Sequence, residues 1–141
     1  MIKIEDIYDL IEKEQGIHKS DIKPNSDLCE DLGIDGDDFF DFEVLFSKKF
    51  SVDMTGYLWY FHHGEEGMNI GSLFAQAPYQ RVQHIPVTPE ILLQAAQTKH
   101  WPISYPEHEL PDKRYDILIN QIIVFTITLL IIMGALFKII A

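Results

Sequence analysis

The 141-residue sequence is poor in cysteine and in basic residues, and each shortage argues against a class of function. A single cysteine, Cys29, allows no intramolecular disulfide and no multi-cysteine zinc or iron–sulfur site, which agrees with a reducing compartment. Only 11 lysines and arginines stand against 22 acidic residues, giving a formal net charge of -11. Because phosphate binding needs clustered basic side chains, we expect a basic protein surface as the partner and not nucleic acid.

Two kinds of motif are also missing. The first ten residues hold three acids and no apolar segment of the kind found in cleavable signal peptides, so we expect no cleaved leader. No catalytic triad, phosphate loop or paired-carboxylate cleft stands out from the rest of the sequence. We therefore predict that the chain is not an enzyme and that it binds no cofactor.

An uncharged stretch long enough to cross a bilayer occurs only at the C-terminal end. Residues 117–137 are 21 consecutive residues without a charge, and as a helix they would be about 31 Å long, close to the thickness of a bilayer core. The sequence therefore predicts a transmembrane helix over residues 115–141, inserted after synthesis as in tail-anchored proteins, with a proline-containing linker over residues 102–114. A buried helix of a soluble domain is the alternative.

The orientation of this helix follows from its flanking charges. Lys113 and Arg114 precede it, whereas only Lys138 lies at its far end. Because basic residues favour the cytoplasmic side, we expect a single-pass protein of the bacterial inner membrane with a cytoplasmic N-terminal domain.

Residues 1–101 are predicted to form one acidic, all-α domain. Apolar residues at helical spacing start at Ile4 and stop at Gly16, and a second helix begins with Asp35 as a capping residue and runs to Lys48 or Lys49. Thr88 and Pro89 mark the start of a third helix. Residues 55–87 have no sustained period, and we expect one short helix and a loop there.

The stretch over residues 25–54 resembles the second-helix region of acyl carrier proteins. The resemblance rests on an acidic and glycine-containing motif followed by a helix that closes on an aromatic residue. Its shared positions are Glu30, Asp31, Leu32, Gly33, Asp35, Asp38 and Phe50. This similarity implies an acyl-carrier-like four-helix bundle, followed here by the transmembrane helix.

The chain departs from the carrier motif at the position that does the chemistry. Carriers attach phosphopantetheine to a serine that follows the motif aspartate, but Gly36 stands there, and Asp37 replaces the leucine that comes next. The stretch is similar to bacterial families of unknown function that keep an LGIDGDD-type sequence instead of the serine motif. The resemblance thus implies a membrane-tethered interaction or regulatory module, with an acyl carrier or an accessory protein of membrane-associated lipid or polyketide metabolism as the alternative.

The second predicted helix is unusually aromatic. Carriers keep aliphatic side chains around a space for the acyl chain, so we hypothesise that aromatic rings fill that space in this chain. The alternative is that the rings simply enlarge the core of a longer domain. The residues concerned are Phe39, Phe40, Phe42, Phe46 and Phe50.

Acidic residues are densest on the same helix, and three interpretations compete for them. They could form a solvated face, a docking surface for lysine and arginine on a partner, or a calcium or magnesium site. The calcium-loop pattern fails because Gly33 and Phe42 stand where ligands are required. We predict no metal site, and we predict a partner-binding surface made of Asp35, Asp37, Asp38, Asp41 and Glu43.

Overall fold

The computed structural model describes residues 1–140, and these residues form helices and connecting loops with no β-strand. The predicted helical architecture is confirmed. The four α-helices are α1 (Ile4–Gln15), α2 (Gly36–Phe50), α3 (Pro89–Thr98) and α4 (Tyr115–Ile140). Short 3-10 helices cover Lys19–Asp21, Trp59–Phe61, Ile70–Leu73 and Pro78–Gln80, so the stretch expected to hold one short helix contains three.

Local sequence signals explain where the helices begin and end. Gly16 adopts a left-handed conformation (φ 70°) after α1, and its amide donates to the Glu12 carbonyl at 2.9 Å. Helix α3 has Pro89 in its first turn, where no amide partner is lost, and the Thr88 hydroxyl accepts from the Ile91 amide at 3.3 Å. Both boundaries agree with those predicted from sequence.

The described residues form two compact units, each built from two stretches of chain. Unit 1 contains residues 1–66 and 82–107, and unit 2 contains residues 67–81 and 108–140. These limits differ from the predicted domain, since the predicted linker begins inside unit 1. The Tyr105 hydroxyl bonds to His62 and Trp101, which ties the start of that linker to unit 1.

The core of unit 1 is formed by one face each of α1, α2 and α3. Phe40 is the one aromatic residue of α2 outside it, with 56% of its surface exposed, so the hypothesis that Phe40 fills the interior is wrong. It lies one position round the helix from the buried stripe, where its ring faces away from the core. The buried helix residues are Ile7, Leu10, Ile11, Phe39, Phe42, Phe46, Phe50, Leu92, Ala95 and Ala96.

Little space remains between the aromatic rings of this core. A cavity of about 10 Å³ lies among Phe39, Phe42 and Phe46, with Glu43 and Tyr57 also in its wall. This volume is close to the minimum that holds one water molecule. The interior of unit 1 is therefore nearly filled by its own side chains.

Unit 2 is dominated by α4. This is the one helix of the described chain that is long and apolar enough to cross a membrane, with a mean hydropathy of 2.6 and none of its most apolar window buried. The helix runs without interruption from Tyr115 to Ile140. The Thr126 and Thr128 hydroxyl groups donate to the carbonyls of Ile122 and Val124, so these polar side chains are satisfied within the helix. The predicted C-terminal helix is thus a candidate membrane span.

Candidate functional site at the start of helix α2

Gly36, at the position where a carrier would hold its serine, is the first residue of α2. Its φ of 54° lies in the left-handed region, which a residue with a side chain adopts only at a cost. A Cβ atom there would collide with the Glu66 side chain, whose Oε1 would lie 3.0 Å away. Both the backbone and the neighbouring Glu66 therefore favour glycine at this position.

Asp35 precedes α2 but does not cap it. The sequence predicted a side-chain cap, and this is wrong because the carboxylate makes no capping bond and points instead to a neighbouring loop. Its Oδ1 accepts from the Gly64 amide at 2.7 Å and lies 3.6 Å from the Cys29 thiol. Burial opposes ionisation of Asp35, but the bonds from the Gly64 and Gly36 amides outweigh it and lower the pKa. Asp35 thus holds the loop beside the start of the helix.

This arrangement leaves a pocket of about 300 Å³ at the start of α2. Aromatic rings form part of its wall, and three acidic residues supply its charge. Such a lining suits a cation, because the faces of aromatic rings and carboxylates both attract positive charge. The rings are those of Phe40, Trp59 and His63, and the acids are Asp37, Glu65 and Glu66.

His63 forms part of this wall. Its ring stacks on Phe39 at 4.6 Å, and Nδ1 lies 2.7 Å from the Gly64 carbonyl oxygen. Because that oxygen only accepts, Nδ1 carries the proton, and Nε2 is buried without a hydrogen-bond partner. Burial lowers the pKa of His63, so the ring is neutral and Nε2 keeps its lone pair.

Four of the five predicted docking residues lie on the surface of unit 1. Asp37, Asp38 and Asp41 are exposed along α2, and Asp35 is exposed but bonded to the loop. Glu43 differs because it is only partly exposed and lines the interior cavity, where burial raises its pKa to about 7. The structure therefore brings Asp37 together with the pocket and separates Glu43 from it.

Comparison with known families places this site in context. Residues 1–103, which include α1, α2, α3 and the pocket, match the family described as "Protein of unknown function (DUF1493)". The chain belongs to the DUF1493 family. No solved structure matches the chain. The family description names no activity and no acyl carrier, and the match ends before α4.

In this DUF1493 chain, sequence reasoning missed the half of the pocket that comes from residues 59–66. They belong to the stretch expected to hold only one short helix and a loop, yet Trp59 and His63 line the pocket. Their partners in the structure are distant in sequence: Gly64 bonds to a residue 29 positions earlier. The run of aromatic, histidine and acidic residues was the available signal, but its spacing fits no regular element.

The second histidine of the pair is a structural residue. His62 is fully buried; Nδ1 donates to the Ile85 carbonyl and Nε2 accepts from the Tyr105 hydroxyl, both at 2.7 Å. The Tyr105 oxygen in turn accepts from the Trp101 indole at 2.8 Å. Burial lowers the pKa of His62 to about 4, so every member of this network is neutral at pH 7.

One group of side chains in the described part of this DUF1493 chain has the atom types and spacing to hold a divalent ion. Ligand atoms of Asp27, Glu30 and His84 lie within 4.8 Å of one another. Asp27 is buried and its Oδ2 lies 2.5 Å from His84 Nε2, so a direct contact between these two side chains accounts for their proximity without a metal. The group differs from the calcium loop considered from sequence, in which Asp31 instead accepts from the Asp27 amide.

Proposed function

We propose that this chain is a membrane-tethered interaction or regulatory module with an acyl-carrier-like arrangement, which carries no phosphopantetheine and docks a basic protein surface at the start of α2. The module is non-enzymatic and acts at the cytoplasmic face of the bacterial inner membrane. The observation that carries the proposal is the acidic and aromatic pocket next to Gly36.

The absence of carrier chemistry is supported at the attachment position itself. Gly36 has no oxygen to esterify, and the Glu66 side chain occupies the space in which a serine side chain would begin. The order of α1, α2 and α3, with short 3-10 helices between the last two, supports a carrier-like arrangement. The cavity of about 10 Å³ supports the hypothesis that rings have replaced the acyl-chain space.

The chemistry of the pocket favours a guanidinium group over other cations. Arginine presents five donors in a flat group that stacks on aromatic faces, which suits the Trp59 and Phe40 rings. Glu66 and Asp37 supply carboxylates for paired hydrogen bonds, and the neutral His63 ring adds no positive charge to the wall. An arginine side chain on a basic partner is therefore the expected occupant.

This occupant is tested with two short peptides that differ in one charge. The full chain in detergent micelles is titrated with a peptide containing a central arginine, and then with the same peptide containing neutral citrulline. We expect the arginine peptide to shift the NMR signals of the Gly36 amide and the Trp59 indole, and the citrulline peptide to bind severalfold more weakly. Equal binding of both peptides would contradict a guanidinium site.

Two variants that each remove one negative charge distinguish binding in the pocket from attraction by the net charge of the chain. Glu66→Gln removes one charge from the pocket, and Glu90→Gln removes one from an exposed position at the start of α3. We expect only Glu66→Gln to weaken the arginine peptide severalfold. If the two variants lose the same amount of affinity for the arginine peptide, the net charge of -11 attracts the peptide and the pocket is not involved.

The alternative carrier function is tested by intact mass. The chain is incubated with coenzyme A and a broad-specificity phosphopantetheinyl transferase, with an ordinary carrier protein as the positive control. We expect no mass change for this chain. A mass gain equal to one phosphopantetheine group would overturn the proposal that the chain carries no phosphopantetheine, and it would favour the carrier alternative.

The tether and its orientation are supported by α4 and by its flanking charges. Lys113 and Arg114 precede the uncharged residues 117–137, and Lys138 follows them. We expect protease to digest unit 1 in inverted inner-membrane vesicles and to leave it intact in spheroplasts. The reverse pattern would contradict the orientation, and release of the whole chain by carbonate would contradict the tether.

A further inference from the structure

An uncharged loop of unit 2 exposes large apolar side chains. We call residues 67–75 the apolar loop; they belong to a run, residues 67–80, without any charged residue. Met68 and Leu73 each have 81% of their surface exposed, and Phe74 has 72%. Three such side chains on one short loop expose apolar surface that water solvates poorly.

The apolar loop is bonded to the beginning of α4. The Asn69 side-chain amide donates to Asp116 Oδ2 at 2.8 Å, and the Ile70 amide donates to Asn120 Oδ1 at 2.9 Å. The Asn120 amide group also donates to the Met68 carbonyl at 3.2 Å. Two side chains of α4 therefore hold the loop at three points.

Gly71 allows an especially close approach to the same helix. A Cβ atom on Gly71 would collide with the Asp116 carbonyl oxygen and would lie 2.6 Å from the Asn120 nitrogen. These are backbone atoms, which cannot move aside as a flexible side chain could. The loop backbone therefore rests directly on the α4 backbone.

The charged group in this contact is neutralised. Asp116 has 2% of its surface exposed, and Arg114 donates to both of its oxygens, from Nε at 2.9 Å and from a terminal nitrogen at 2.7 Å. Such a two-bond pair places opposite charges at contact distance. At the start of α4, unit 2 therefore buries the Asp116 carboxylate, while the apolar loop that contacts it exposes Leu73 and Phe74.

The loop backbone also satisfies its own hydrogen bonds. The Ser72 amide donates to Asn69 Oδ1 at 3.2 Å, and the amides of Phe74 and Ala75 both donate to the Gly71 carbonyl at 3.0 Å. Satisfied backbone groups are the condition for irregular structure to approach lipid, because a bilayer offers no partners of its own.

The level of the contact along α4 identifies what the loop meets. Asp116 and Asn120 lie on either side of Ile117, the first residue of the uncharged stretch, so the loop sits where the predicted span begins. We propose that the apolar loop is a second membrane contact, which inserts Leu73 and Phe74 into the boundary between lipid headgroups and acyl chains. This inference rests on the proposed tether through α4.

Spin labels test the environment of the loop in the full chain. The native cysteine is removed by Cys29→Ala, and single labels are placed by Leu73→Cys, Phe74→Cys, Leu130→Cys in α4 and Gln83→Cys, an exposed polar position in unit 1. The labelled proteins are reconstituted into phosphatidylcholine vesicles, whose zero net charge removes electrostatic attachment. Collisions with oxygen, which enters lipid, and with a water-soluble nickel complex are then compared by power saturation.

We expect the oxygen-to-nickel ratio at Leu73→Cys and Phe74→Cys to be severalfold higher than at Gln83→Cys and lower than at Leu130→Cys. If Leu130→Cys reports lipid while both loop labels report water, the second contact is overturned and the tether stands. If all labels report water, the tether fails and the inference fails with it. Loop labels shielded from both reagents would also overturn the inference, because a protein partner or a second copy would then cover the loop.

Discussion

Units 1 and 2 distribute apolar and polar side chains in opposite ways. In unit 1, Phe42 has 1% of its surface exposed, and Asp37, Asp38 and Asp41 lie outside. In unit 2, Phe125 has 70% of its surface exposed, while Asp116 is buried against Arg114. The same chain therefore contains one part with its apolar side chains inside and one with a long apolar helix exposed, as the proposed tether requires.

Two buried networks, one in each unit, differ in charge. The network around His62 in unit 1 is neutral, because burial lowers the pKa of its imidazole to about 4. The contact in unit 2 is an ion pair, in which Arg114 balances Asp116. The neutral network spares unit 1 the desolvation cost of a charge, whereas in unit 2 the Arg114 partner compensates the buried charge of Asp116.

The largest expected effect concerns the core of unit 1. Phe42→Ala should lower the free energy of unfolding by about 3–5 kcal/mol, because the site is already filled and a cavity would remain. Urea unfolding of the full chain in micelles, followed by Trp59 and Trp101 fluorescence, measures this loss, since both tryptophans lie in unit 1.

Phe40→Ala provides the matched control on the same helix. Phe40 is 56% exposed, so its loss should change the free energy of unfolding by no more than about 0.5 kcal/mol. Similar losses for the two variants would mean that α2 has no distinct buried side, and the contrast between the units would lose its basis.

The second effect is a pH dependence of unit 1. Unfolded His62 takes up a proton near its ordinary pKa of 6.5, whereas folded His62 does so only near 4. The contribution of neutral His62 to the free energy of unfolding is therefore fully present above pH 6.5. It is lost as the pH drops from 6.5 to 4, which lowers the free energy of unfolding by up to about 3 kcal/mol. The measurement is the free energy of unfolding at several pH values.

His62→Asn removes this titration and serves as the comparison for the slope. Between pH 6 and 4.5 its free energy of unfolding should depend on pH less steeply than that of the natural chain, by up to one proton. An unchanged slope would assign the acid sensitivity to other groups, such as His63, whose pKa is also lowered by burial.

The helices of unit 1 were predictable because their signals are local. Gly16 ends α1, Thr88 and Pro89 begin α3, and the phenylalanines of α2 follow the helical period. The 3-10 helices were missed because contacts with distant residues form them; Ile85, for example, donates its amide to the Phe61 carbonyl.

The two proposed contact surfaces were less accessible to sequence reasoning. The pocket needs Gly64 to meet Asp35, and the apolar loop needs Ile70 to meet Asn120, 50 residues away. No local pattern encodes such meetings. The uncharged run of residues 67–80 was nevertheless visible in a chain with 23% charged residues, and it could have been noticed as a second apolar segment.

A moderate effect is expected where the loop meets α4. Asn120→Ala leaves the Ile70 amide and the Met68 carbonyl without their partners, which should cost about 1–2 kcal/mol. Hydrogen exchange of the Ile70 amide in micelles should then be roughly tenfold faster. Gln121→Ala, at the exposed neighbouring position, should leave the exchange unchanged. Equal exchange in both variants would mean that α4 does not hold the loop.

The smallest effect concerns the cost of placing a side chain at Gly33 or at Gly36 in unit 1. Gly33 and Gly36 both have positive φ angles, 71° and 54°, but a Cβ atom meets nothing within 4 Å at Gly33 and collides with Glu66 at Gly36. Gly33→Ser should therefore cost about 1 kcal/mol for its backbone conformation alone. Gly36→Ser should cost slightly more, because the Glu66 side chain must also move.

The double variant Gly36→Ser/Glu66→Ala isolates that difference. Removing the Glu66 side chain should return the free energy of unfolding to the value of Gly33→Ser, since only the backbone cost would remain. If Gly36→Ser is instead as stable as the natural chain, the left-handed backbone conformation at residue 36 does not disfavour a side chain there. The mass of Gly36→Ser would then be measured after incubation with coenzyme A and a transferase. A mass gain would show that unit 1 lacks only the hydroxyl of a carrier. An unchanged mass would mean that Asp37 and the pocket acids also exclude the modification.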